Sequence, residues 1–146
     1  MSNCQHSNGG FGGNIGHDPH ITSSLYALLI CAIFDSVDAI NTDTLAEYVK
    51  SLQNKDGSFK GDYAGEVDTR FSYCAVSILS LLGKLDTIDR DAARDFILQC
   101  KNIDGAFGGV PGAESHAAYV FTAIGTLKIL DVIDLIDTDK LGFWLS

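Results

Sequence analysis

The chain has 146 residues, 19 acidic against 10 basic side chains for a formal net charge of -9, 46% hydrophobic residues and two prolines. This composition excludes a disordered polyelectrolyte and a coiled coil, and the length suffices for one domain with a real core. No basic run offsets the acidity, which argues against nucleic acid or an anionic bilayer as partner.

The N-terminal stretch MSNCQHSNGG is polar and carries no readable leader, and no apolar run reaches the roughly 18 residues a membrane span needs. Cys4, Cys31, Cys74 and Cys100 form no Cys-x-x-Cys pair, which fits a reducing compartment and a cytoplasmic location. The first predicted turn, Gly9-Gly10-Phe11, returns as Asp56-Gly57-Ser58-Phe59 and Asp104-Gly105-Ala106-Phe107, so the phenylalanines stand at 11, 59 and 107, a step of 48. A repeat of this length signals stacked supersecondary units. "GGFGGN" and "GAFGG" lack the Lys-Ser or Lys-Thr of a phosphate loop and are read as turns requiring positive φ.

Next comes "GHDPH", residues 16–20. His17, Asp18 and His20 invite a metal reading, but two histidines do not close a tetrahedral site and Pro19 marks a turn. From about Ile21 to Phe34 the chain is apolar on most faces, which predicts an inner helix. A second helix begins at Asn41, a residue that accepts hydrogen bonds from helix-start amides, and shows a stripe of Leu45, Tyr48, Val49 and Leu52 with a solvated back.

The pattern then repeats. Glu66, Asp68 and Arg70 lead into an inner segment from Phe71 to Leu82, followed by an outer helix from Asp89 with Ala93, Phe96, Ile97 and Cys100 as its stripe. Glu114, Ser115 and His116 lead into Ala117 to Leu130, followed by an outer helix from Asp137 with Leu141, Trp144 and Leu145. The expectation is an all-alpha domain over 1–146 of three 48-residue units, about 1–52, 53–100 and 101–146, stacked as an open solenoid or a closed ring. Because the last outer helix stops before its final turn, the chain reads as the middle of something longer.

Polar groups concentrate at the inner-helix starts, which stacking brings to one rim. Free N-terminal amides there, with Arg70 and His116 as cations, suit a diphosphate. The plainer alternative has Asp68 or Thr69 capping the second inner helix, Ser115 capping the third, and Arg70 pairing with Glu66 or Glu114.

"GHDPH", "LQNKDGSF", "GEVDTRFSYCAVSILSLLGKLD", "DGAFGGVPGAESHAAYVFTAIGTL" and "LGFWL" together resemble the beta subunit of protein prenyltransferases, most nearly the type II, Rab-directed geranylgeranyltransferase. The resemblance implies an alpha-alpha barrel, or toroid, of helical hairpins, here a partial arc, whose inner helices line an apolar cavity for an isoprenoid. It implies an enzyme, working with an alpha subunit, that moves geranylgeranyl from geranylgeranyl diphosphate to C-terminal cysteines of a Rab GTPase presented by an escort protein. Arg70 and His116 match positions at the diphosphate end, and Leu25 and Tyr73 match positions along the tail, where side-chain size goes with prenyl length. The zinc of the complete enzyme has ligands that this sequence does not contain, so the fragment is expected to be inactive alone. The alternatives are a farnesyl or type I geranylgeranyl beta subunit, or a non-catalytic helical-repeat module that binds a protein.

Overall fold

The computed structural model describes residues 2–146. Six α-helices follow one another: α1 (Ile21–Ile33), α2 (Thr42–Ser51), α3 (Thr69–Leu81), α4 (Arg90–Gln99), α5 (Ala117–Ile129) and α6 (Thr138–Leu145). The long helices α1, α3 and α5 start 48 residues apart, and so do α2, α4 and α6. Each long helix passes to the next short one through a 3-10 turn, at Val37–Ala39, Leu85–Thr87 and Ile133–Leu135.

The helices form two layers. In the inner layer α3 packs between α1 and α5; in the outer layer α2 lies on α3 and α4 on α5, so these two outer helices each cover the inner helix of the following unit. Sequence patterning explains the split. The outer helices carry one apolar stripe, and Leu45, Tyr48 and Val49 of α2 are buried by it, as are Ala93, Phe96 and Ile97 of α4. On α3, flanked on three sides, Phe71, Ser72, Cys74, Ala75, Val76, Ile78 and Leu79 are all buried.

Phe11, Phe59 and Phe107 are buried at the joints between hairpins. The turns that deliver them need glycine for two reasons. Gly57 has φ +87°, and a Cβ there would stand 2.0 Å from the carbonyl oxygen of Ala92 in α4; Gly9, φ +94°, meets Thr44 of α2 in the same way. Only a residue without a side chain allows both the left-handed conformation and the close approach.

The outer helices are capped as the sequence predicts. Oδ1 of Asn41, Asp89 and Asp137 accepts from the amides of Thr44, Ala92 and Lys140 at 3.0, 2.9 and 2.9 Å. A clamp not foreseen holds two of these caps. The Gln53 amide donates to the Asp89 carbonyl at 2.8 Å and its Oε1 accepts from the Asp89 amide at 2.9 Å, and Gln5 treats Asn41 alike.

Of the caps expected for the inner helices, Asp68 holds and Ser115 does not. α3 starts at Thr69, two residues earlier than the apolar run, because Asp68 caps it. Ser115 does not cap α5: His116 does, through Nδ1, and His20 does the same for α1. Ser115 is drawn off by Asn102 and Asp104, whose side chains bond its hydroxyl at 2.9 and 3.0 Å. No helix among the described residues is long and apolar enough to cross a membrane.

Candidate functional site

Three positions per inner helix, stepping i, i+3, i+7, correspond to one another through the repeat. Taken across α1, α3 and α5 they are Thr22, Arg70 and Ala118; then Leu25, Tyr73 and Phe121; then Leu29, Ser77 and Gly125, each set separated by the 48-residue repeat. The first two sets, with Tyr26, Leu29, Cys74 and Thr122, line a cavity of about 590 Å³. Leu25, Leu29 and Tyr73 line a further stretch of about 250 Å³ that reaches Ser77, Leu81 and Ile129. From Arg70 to Leu81 the α3 wall is about 16 Å long at 1.5 Å per residue. It is a trough with charge at one end.

Arg70 is that charge. Its Nε donates to both oxygens of Asp68 at 2.9 Å, its Nη2 also bonds Asp68 Oδ2, and Nη2 meets Glu66 Oε1 at 3.2 Å. The guanidinium carbon lies 5.2 Å from the centre of the Phe71 ring. Hydrogen bonding to Asp68 raises the guanidinium pKa further above its already high value, so the charge is permanent. Asp68 Oδ1 accepts the Arg70 backbone amide as well, at 2.8 Å, so one buried carboxylate both caps the helix and aims the side chain. Nη1 makes no hydrogen bond among the described residues and is the nitrogen open to a ligand.

The expected set of free helix-start amides is not there on α1 and α3. Ile21 N donates to Gly61 O at 2.8 Å and Thr69 N to Gly109 O at 2.9 Å, so the loop of the following unit takes the first amide. The second amide of each goes to the capping side chain. An anion at this rim depends on side chains, chiefly Arg70.

Leu25, Arg70 and Tyr73 thus share one cavity, whereas His116 is not part of its lining. His116 is exposed at the start of α5, its Nδ1 accepting from Ala118 N at 3.1 Å and its ring 5.7 Å from that of Tyr119. A capping Nδ1 is an acceptor, so the neutral ring carries its proton on Nε2 and offers a donor outward. Tyr119, which the sequence reading passed over, sets its ring against that of His116 at the start of α5. Phe121 was also passed over, although the repeat step from Tyr73 leads straight to it; the two rings meet edge to face at 5.4 Å.

Cys74 lines the cavity as a thiol, since burial pushes its pKa up to about 11. With His20 and His116 used as caps, the described residues contain no group of three or more His, Cys, Asp or Glu side chains able to hold a metal. The donor set here does not fit zinc.

Comparison with known proteins agrees with this arrangement. The whole chain, residues 1–146, matches the family described as "Prenyltransferase alpha-alpha toroid domain". Over 32 residues, 22% of this chain and 10% of the relative, it is 56% identical to "Geranylgeranyl transferase type-2 subunit beta 1" of Arabidopsis thaliana. Its fold is similar to that of Candida albicans protein geranylgeranyltransferase-I complexed with GGPP, with a TM-score of 0.65 and 29% identity, covering 77% of this chain and 36% of that one. The matched stretches therefore cover well under half of either relative.

Proposed function

The chain belongs to the prenyltransferase alpha-alpha toroid family, and on that premise we propose that it is part of a protein prenyltransferase beta subunit and holds a prenyl diphosphate along α1, α3 and α5. The observation that carries this is Arg70, held by Asp68 at the head of an apolar trough walled by Leu25, Tyr73 and Phe121. A diphosphate meets Nη1 while the isoprenoid lies below it.

Both relatives named above are geranylgeranyl transferases, which supports geranylgeranyl diphosphate as the ligand. Burial of its apolar carbons at about 0.8 kcal/mol per methylene supplies the gross affinity. Arg70, a fixed cation, stabilises charge that develops on the diphosphate as it leaves. His116 Nε2 adds a donor from the α5 side of the same rim. Activation of the protein thiol and any zinc fall to residues outside this set, and a partner alpha subunit belongs to the same reading. A cytoplasmic setting fits cysteines that form no disulfide among the described residues.

The likeness to a type I enzyme runs over 77% of the chain, that to a type II beta subunit over 32 residues. Protein prenyltransferase beta subunit is therefore the reading, and a Rab-directed enzyme with an escort protein is its narrower form, decided by acceptor assays. The test of the ligand is direct binding: Arg70→Ala should weaken geranylgeranyl diphosphate at least about tenfold, some 1.4 kcal/mol, and leave geranylgeraniol, which lacks the diphosphate, little changed. Equal loss for both would remove Arg70 from the head-group site.

A further inference from the structure

Tyr73 stands where the two stretches of the trough meet, lining both together with Leu25 and Leu29. Its ring lies across α5 at Gly125. A Cβ built on Gly125 would come 2.6 Å from Tyr73 Cε2 and 2.8 Å from Cδ2, closer than real carbon contacts. The φ of Gly125 is not in the left-handed region, so the backbone alone does not call for glycine there. Glycine inside a helix is destabilising relative to alanine, and the space taken by the Tyr73 ring is what accounts for it. Gly142 of α6, by contrast, has nothing within 4 Å of a built Cβ.

We propose that Gly125 is a specificity-determining residue that sets how deep the trough runs. By leaving α5 bare it lets the Tyr73 ring withdraw from Leu25 and keeps the two stretches joined, so that the trough takes a tail of four isoprene units rather than three. This rests on the prenyl diphosphate reading above. A methyl group at 125 meets a ring that turns on two side-chain torsions, while the α5 backbone is packed against α3. The ring is the part that yields, and the empty side toward Leu25 is where it goes.

The experiment measures, by calorimetry on the full chain, binding of geranylgeranyl diphosphate and farnesyl diphosphate to the wild type, Gly125→Ala, Tyr73→Ala and the double variant. Gly125→Ala should lose about tenfold or more for the longer ligand, some 1.4 kcal/mol, and less than about threefold for the shorter. The double variant, lacking the ring, should match Tyr73→Ala. Unchanged length preference in Gly125→Ala, or the same loss with the ring removed, overturns the inference while leaving the ligand in place. A wild type that binds neither diphosphate overturns the functional reading itself, and the inference with it. If Gly125→Ala does not fold by circular dichroism, a double variant that folds supports the contact, and one that also fails contradicts it.

Discussion

Asp68 holds Arg70 from two directions at once: its carboxylate takes both the side-chain Nε, at 2.9 Å, and the backbone amide, at 2.8 Å. The helix start and the aim of the guanidinium are therefore one interaction. Asp68→Ala removes a cap worth about 1 kcal/mol and up to about 2 in protein hosts, whereas Asp68→Asn keeps a good cap and loses only the ion pair. Denaturant unfolding should rank the wild type above Asn and Asn above Ala, and both variants should bind prenyl diphosphate more weakly although each removes a negative charge from the rim. Tighter binding by either variant would mean that Asp68 only opposes the anion.

The glycine turns separate two costs. Gly112 has φ +79° with open space around a built Cβ, so Gly112→Ala adds backbone strain alone, about 1–3 kcal/mol. Gly57→Ala adds the collision with Ala92 O and should cost clearly more, or prevent folding. Equal unfolding midpoints for the two would show that the close approach of this turn to α4 is not rigid.

The Ala106 amide, with help from the Ser115 hydroxyl, holds the Asp104 carboxyl below its ordinary value of 3.8. A folded-state pKa that is lowered contributes stability present above the unfolded value and lost as pH falls through the folded one. The advantage of wild type over Asp104→Asn should thus be constant near neutrality and shrink below about pH 4. An advantage that persists undiminished at lower pH would contradict the assignment.

Cys74 and Cys100 are thiols pushed up by burial to about 11 and about 12, while Cys4 is partly exposed. Iodoacetamide at pH 8, read by peptide mass spectrometry, should label Cys4 well before either. Bound geranylgeranyl diphosphate should slow Cys74 further, because that residue lines the trough. Labelling of Cys74 as fast as Cys4 would mean that the cavity wall opens freely.

Much of the scaffold was legible in sequence because the repeat is local. The stripes of α2 and α4 and their Asn41 and Asp89 caps follow from spacing within a single unit. Contacts between units were not legible. Nothing in one unit shows that the Gly61 and Gly109 carbonyls take the first amides of α1 and α3, which is why an open anion cradle was expected there. Histidine is not among the preferred capping residues, so His116 was read as a cation free for a ligand rather than as the α5 cap. Leu25 and Tyr73 came from family likeness, Arg70 already from its place as a cation at an inner-helix start, and Phe121 and Gly125 lie one repeat beyond Tyr73 and Ser77.

The most direct measurement is a map of where the tail lies. A geranylgeranyl diphosphate analogue carrying a diazirine near its far end, photolysed with the full chain, should label peptides containing Leu25, Tyr73 and Phe121 and should be competed away by unmodified geranylgeranyl diphosphate. Competed labels confined to the outer helices α2, α4 and α6, with none on α1, α3 or α5, would contradict the account.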